Sequence, residues 1–251
     1  MDEKSGRYTA EDLFDDLPTL HDVPSATAAQ MADVDRVASA ELGIPLELLM
    51  ENASHQIAAA ARLFLGGVAG MKIVGLAGSG NNGGDALGAL RHLSGWGATI
   101  SAVLSGPAER LRPLARRQHS ILAALGVRLG AAALDGDLLI DGLLGYSVAG
   151  PPRDAVSDLI RAANVSRVPI LSVDLPSGLH PDTGEPLGIT ARAALTVTLA
   201  LPKRGLMATR SRALVGELLL ADIGIPPLAF DRAGIETRGL FDGGDLVRII
   251  R

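Results

Sequence analysis

The stretch Ala77-Gly-Ser-Gly-Asn-Asn-Gly-Gly-Asp85 follows an apolar run, Lys72-Ile-Val-Gly-Leu-Ala77, and precedes a helical pattern from Ala86 to Trp96. A glycine turn between a strand and a helix makes an anion cradle, because the backbone can approach a ligand and the free N–H groups of the helix start point at negative charge. The spacing Gly78-x-Gly80-x-x-Gly83 satisfies the dinucleotide fingerprint. A nicotinamide dehydrogenase also carries an acid about 20 residues further on, at the end of the next strand, where it holds the ribose hydroxyls. Here that strand is Ala98-Thr-Ile-Ser-Ala-Val-Leu-Ser105, and no carboxylate follows before Glu109. An ordinary dehydrogenase is therefore disfavoured. What distinguishes the turn is Asn81, Asn82 and Asp85, polar groups suited to a ligand rich in hydroxyls, to a cation, or to both.

Two more clusters have the same form. In Leu138-Leu-Ile-Asp141-Gly-Leu-Leu-Gly145-Tyr-Ser-Val-Ala-Gly150-Pro-Pro-Arg153, an apolar strand ends on Asp141 and opens into a glycine-bounded loop. In Pro169-Ile-Leu-Ser-Val-Asp174-Leu-Pro-Ser177-Gly178, another ends on Asp174 and turns tightly. A single Asp at a strand end is more often a turn former or helix cap than a catalyst. Asp85 is also favoured by the helix dipole alone, and Asn81 and Asn82 tolerate left-handed backbone. Three such clusters at one edge of a parallel sheet outweigh those readings, because that edge is where α/β folds bind ligands. The donors are amide, carboxylate and hydroxyl oxygens, which suit an alkali or alkaline-earth cation rather than zinc or copper. His55, His92 and His119 read as surface or packing residues, while His180 lies close enough to the third cluster to be watched.

The elements that must position these clusters alternate between strand and helix. Strands are predicted at 72–76, 98–104, 127–130, 137–141, 168–174, 194–200 and 216–222, with helices near 82–95, 111–125 and 152–164. Apolar strands joined by crossover helices indicate a mostly parallel sheet covered on both faces, a three-layer αβα Rossmann-like sandwich. Two N-terminal helices precede it, one from an N-cap at Ser25 through Leu42 and one over 46–64, separated by Gly43-Ile-Pro45. Residues 1–24 read as a flexible arm and 25–251 as one domain, whose tail 228–251 resembles a linker. With 251 residues, 47% of them hydrophobic, the chain can bury a sizeable core. Its net charge of −5 disfavours a nucleic-acid partner, and the absence of cysteine excludes disulfides, thiolate metal sites and a cysteine nucleophile. No membrane span or signal peptide is predicted, so the expectation is a cytoplasmic protein.

From about Thr27 to Pro227 the chain resembles the NAD(P)H-hydrate epimerase family, also called the YjeF N-terminal domain family. The resemblance rests on Leu49-Met-Glu-Asn-Ala53, Gly80-Asn-Asn-Gly-Gly-Asp85 with Arg91-His-Leu93, Asp141 through Pro152, and Val173-Asp-Leu-Pro-Ser-Gly178 with Asp182-Thr-Gly184. Thr196 through Leu206, containing Ala200-Leu-Pro-Lys203, and Gly216-Glu-Leu-Leu-Leu-Ala-Asp-Ile-Gly-Ile-Pro226 complete it. The chain departs from the family pattern at Ser54 and Ala86, where glycine is usual, at Tyr146-Ser-Val in the second loop, and at Leu179-His180.

The resemblance implies an isomerase of nicotinamide nucleotide repair. Its substrate is NADH or NADPH hydrated across a ring double bond (NAD(P)HX), whose R and S forms are interconverted so that a separate or fused dehydratase specific for S can restore the whole pool. It implies substrate-binding loops at Asn81, Asn82, Gly83, Gly84 and Asp85 and at Gly145, Tyr146, Ser147, Val148, Ala149, Gly150 and Pro151. It places Asp174 near the reacting ring, where a carboxylate could serve as general acid and then base. Asn82, Asp141 and Ser177 are implied as ligands of one potassium ion (K+) per subunit, and a homodimer is implied as the assembly. The competing reading is a non-catalytic nucleotide-binding or scaffold module of the same fold.

Overall fold

The computed structural model describes residues 14–130, 133–147 and 150–251. The strands are β1 (Thr19–Leu20), β2 (Lys72–Ala77), β3 (Thr99–Leu104), β4 (Arg128–Leu129), β5 (Leu138–Gly142), β6 (Ile170–Val173), β7 (Leu195–Leu199), β8 (Glu217–Ala221) and β9 (Leu246–Ile249). The helices are α1 (Ala28–Arg36), α2 (Leu46–Phe64), α3 (Asn81–Gly95), α4 (Pro113–Ala124), α5 (Asp154–Ser166), α6 (Arg204–Met207), α7 (Arg212–Val215) and α8 (Pro227–Arg232). The strands form one sheet in the order β1-β9-β8-β7-β6-β5-β2-β3-β4, parallel throughout except where β9 runs against β8.

Alternation along the central strands splits the interior into two layers. Ile73, Ala77, Leu138, Ile140, Leu171 and Val173 face a large core shared with α1, α2 and α3. Val74, Leu76, Leu139 and Ile170 face a smaller one closed by Ile160 and Ala163 of α5. Strands buried on both faces give the near-continuous Val, Ile and Leu runs seen in the sequence. The fold is the expected α/β sandwich, and no helix among the described residues is long and apolar enough to cross a membrane.

Both chain ends differ from expectation. Residues 1–13 of the expected arm lie outside the described residues, but from Phe14, which is fully buried, the segment belongs to the fold, and β1 pairs with β9. The expected linker at the other end supplies α8 and β9, with Leu246, Val247 and Ile249 buried in the large core. The apolar stretch Leu246, Val247, Arg248 and Ile249 is too short to stand out from a turn-rich tail by pattern alone. Thr27, not Ser25, caps α1, in a capping box with Gln30 that satisfies two otherwise unpaired N–H groups. A π-helical turn, Val37–Glu41, then carries the chain to the Gly43 break.

Candidate active site

The glycine turn works first by close packing. A Cβ on Gly78 would lie 1.9 Å from the Leu143 carbonyl oxygen, and one on Gly83 would lie 2.1 Å from the carbonyl oxygen of Gly78. These two glycines let the turn fold on itself and let the loop after β5 press against it. The first turn of α3 is thereby held at the carboxyl edge of the sheet.

A cavity of about 320 Å³ opens there. Among the expected residues, Asn81, Asn82, Asp85, Gly145, Tyr146, Ser147 and Asp174 line it. Gly83 and Gly84 do not: they are buried in α3, and a Cβ on Gly84 would meet the Met50 methyl at 2.6 Å. Gly150 borders a separate small recess behind Gly145, and Pro151 lines neither hollow. Val148 and Ala149 lie outside the described residues. Asp141 and Ser177 sit beneath the cavity, 1% and 0% exposed.

At the β6 and β7 ends, Asp174 and Lys203 form an ion pair with both side chains almost wholly buried. The Lys203 ammonium also donates to the Leu199 carbonyl at 3.0 Å. Asp174 and Ala200 both adopt positive φ, 67° and 63°. For residues other than glycine this costs on the order of 1–3 kcal/mol each, and such strain gathers where function demands a particular direction of the chain. The Lys203 turn is clamped from outside by the segment before α1, since Ala26 N–H donates to the Pro202 carbonyl at 2.9 Å and Arg204 N–H to that of Ala26 at 2.9 Å. Tyr146 donates its hydroxyl to the Asp35 carboxylate on α1, and its ring centroid lies 5.5 Å from the Lys203 ammonium. Asp35 is held above the usual carboxylate range by burial, against the pull of the Tyr146 hydrogen bond and of Lys203.

Asp85 completes the group. Burial, reinforced by the like charges of Asp174 and Asp35, pushes its carboxyl well above the usual range. Among the described residues its side chain has no hydrogen-bond partner, while its backbone carbonyl accepts from Ser54 at 3.2 Å. That serine stands where the family pattern has glycine, and it fills the space left open by Gly88.

The second node is uncharged apart from Asp141 itself. The Asp141 carboxylate accepts from Ser172 Oγ at 2.9 Å, Ser177 Oγ at 2.6 Å, Ser177 N–H at 2.9 Å and Leu143 N–H at 3.3 Å. Ser177 Oγ also accepts from Leu144 N–H, and the Asn82 amide donates to the Leu144 carbonyl, both at 2.9 Å. Burial raises the Asp141 carboxyl above its ordinary value despite these bonds. His180 takes a structural part, its Nδ1 accepting from Asp182 and Thr183 N–H groups. His55 packs edge-on against His92 and Trp96, outside the residues that line the cavity.

Sequence reasoning did not single out Asp35 or Lys203 as functional residues. Each left a signal. Asp35 sits one turn after Met31 on the inward side of an amphipathic helix, and Lys203 follows an apolar strand end by the same rule that found Asp141 and Asp174.

The family model described as "YjeF-related protein N-terminus" matches residues 46–205. The chain is 38% identical over 229 residues to an NAD(P)H-hydrate epimerase of Dehalogenimonas lykanthroporepellens, an alignment covering 89% of this chain and 91% of that one. It is 38% identical to a bifunctional NAD(P)H-hydrate repair enzyme of Moorella thermoacetica, where the match covers 80% of this chain but 40% of that one. A crystal structure of the yeast protein YNL200c shares the fold, with a TM-score of 0.79 at 22% identity over 90% of this chain and 100% of that one. With the glycine turn, both strand-end aspartates and the Lys203 turn in place, the chain belongs to the family of YjeF-related N-terminal domains.

Proposed function

We propose that the chain is an epimerase interconverting the R and S forms of hydrated NADH and NADPH. The observation that carries this reading is the pairing of unlike acids over one cavity: Asp85, buried with no side-chain hydrogen-bond partner among the described residues and its carboxyl pushed well above the usual range by burial, and Asp174, ion-paired with Lys203. Titratable groups whose surroundings drive them apart mark acid and base roles. The relatives named as epimerases and repair enzymes supply the substrate class.

The hydrated ring carbon is a hemiaminal, bearing a hydroxyl beside the ring nitrogen. Asp85 gives its proton to that hydroxyl, the C–O bond breaks, and the nitrogen lone pair closes an iminium as water leaves. Water returns to the opposite face and its proton restores Asp85, so atoms and charge balance. The Asp174 carboxylate, ion-paired with Lys203 at the cavity wall, supplies negative charge that favours the cationic iminium. Proton transfer thus falls to Asp85, and Asp174 acts through its charge. The test is to incubate the protein with the R epimer and follow the R to S ratio by chromatography; a ratio no faster than buffer would end this reading.

We further infer that potassium binds at Asn82, Asp141 and Ser177. Ser177 Oγ bonds the buried Asp141 carboxylate, which has no ion-pair partner among the described residues, Asn82 is tied to the same node through the Leu144 carbonyl, and hard oxygen donors suit an alkali cation. Asn82, Asp141 and Ser177 would hold the ion, which would supply a positive charge that offsets Asp141. In this reading the product feeds an S-specific dehydratase, fused in the bifunctional relatives, and the cysteine-free chain works in the cytoplasm. Leu46 and Leu48, 41% and 57% exposed on α2, are the candidate contact of a homodimer, for which light scattering should give twice the monomer mass.

A further inference from the structure

The cavity runs along the carboxyl edge from β7 to β3, and its two ends differ in charge. Asp35, Asp85, Asp174 and Lys203 are electrostatically coupled at one end. The β3 end is lined by Ser79, Gly80, Asn81, Ser105 and Arg112. Among the described residues, the lining carboxylates are Asp35, Asp85 and Asp174, all in the coupled group.

Arg112 is held in place without being used up. It is the N-cap residue of α4, and its backbone N–H donates to the Ser79 carbonyl at 2.8 Å, tying it to the glycine turn. Arg116 steadies the approach by donating to the carbonyls of Glu109 and Leu111. The Arg112 guanidinium itself enters no hydrogen bond or ion pair among the described residues, and the residue, exposed to solvent, borders the cavity.

In dinucleotide folds, the strand end after the glycine-turn helix is where the adenosine ribose is read. A carboxylate there holds the 2′,3′-diol, whereas a nearby arginine accommodates a 2′-phosphate. This chain ends that strand on Ser105, and Glu109, the first acid beyond, does not line the cavity. Among the described lining residues no acid stands at this end, and an arginine whose side chain has no partner among the described residues borders it. We propose that Arg112, with the Ser105 hydroxyl, forms a subsite for the adenosine 2′-phosphate, so that hydrated NADPH is preferred over hydrated NADH. The adenosine then lies toward β3 and the hydrated ring toward Asp85 and Asp174. This inference rests on the nucleotide substrate proposed above.

The test separates the subsite from the chemistry by using non-reactive half-ligands. Adenosine 2′,5′-bisphosphate and adenosine 5′-phosphate are titrated calorimetrically into the wild-type protein, Arg112→Ala and Arg112→Lys. Wild type should bind the bisphosphate about tenfold or more tightly than the monophosphate, the scale of one charge-assisted phosphate contact. Arg112→Ala should bring that ratio close to one, and Arg112→Lys, with charge but no planar fork, should keep part of it. Equal affinities in wild type would overturn the proposal. So would an equal loss for both ligands in Arg112→Ala, which would put Arg112 on a phosphate common to the two. Epimerisation of both hydrates by wild type is followed separately; lack of turnover would sink the epimerase reading and leave the binding ratio standing on its own.

Discussion

Asp141 and Asp174 end neighbouring parallel strands, and both are buried to within a few per cent, yet they are solved differently. Asp141 is enclosed by hydroxyl and amide donors from β6 and from the loops after β5 and β6, and it faces no cavity. Asp174 is matched by one ammonium, on left-handed backbone, at the cavity wall. A carboxylate ringed by dipoles fixes the relative positions of two loops and a strand. One balanced by a full charge presents a field to whatever enters. The same residue type at the same place in the fold thus builds a frame in one strand and an electrostatic surface in the next.

The largest effect should come from breaking the charged side of that contrast. Asp174→Asn keeps the shape but strands the Lys203 ammonium, which should cost about 3–5 kcal/mol of stability in urea unfolding. Epimerisation should fall about 10²- to 10³-fold with it, the scale for removing one electrostatic stabiliser. The double variant Asp174→Leu with Lys203→Met should recover stability but not activity, because a buried pair replaced by apolar groups leaves no charge exposed to a poor medium. Recovery of activity in that variant would show that the ion pair merely packs.

Asp141→Ala attacks the frame. It leaves buried hydroxyl and amide donors without an acceptor, at about 1–3 kcal/mol for each group that finds no water. In wild type, exchanging potassium for tetramethylammonium should lower the unfolding midpoint, and in Asp141→Ala the midpoint should no longer respond to the cation. A wild-type midpoint indifferent to the exchange would remove the cation from the site.

Asp85 sharpens the comparison through pH. Its raised value means the folded state keeps a proton that the unfolded chain has lost, so stability falls as pH rises from the ordinary carboxylate value up to the raised one. Asp85→Asn should therefore be more stable than wild type at neutral pH and flatter across that window. Its epimerisation should be low at all pH values, whereas wild-type activity should decline as pH rises through the Asp85 titration. A variant whose stability follows pH as wild type does would refute the assignment.

The smallest effect belongs to Tyr146→Phe, which removes only the hydroxyl bond to Asp35. About 1–2 kcal/mol should be lost, read as a rise in KM with kcat nearly kept, since the phenol orders the loop without carrying a proton.

Much of this was legible in the sequence because parallel strands advertise themselves as apolar runs and their carboxyl ends can be counted. Asp141, Asp174 and the Asn81 to Asp85 turn were found that way. Asp35 was not, because it reaches the cavity from a helix that packs over the sheet, and no local period records such a meeting. Lys203 was quoted only as part of a motif; a buried lysine is intelligible once its counter-charge is seen across two strand ends. β1 and β9 escaped for a related reason. Each is too short to carry a pattern, and each becomes a strand only through partners at the far end of the chain.

That last pairing bears on how the molecule is made. Among the described residues β1 pairs with β9 alone, so it has no strand to dock on until β9 has been made and has joined β8. Closing nearly the whole chain into a loop is entropically slow, although its cost grows only logarithmically with length. During synthesis the segment around Phe14 and Thr19 must wait unseated while the β2 to β7 layer and its cavity assemble. Its arrival covers the open edge of β9 and buries Phe14, so a strand that precedes β2 in the chain takes its place after β9.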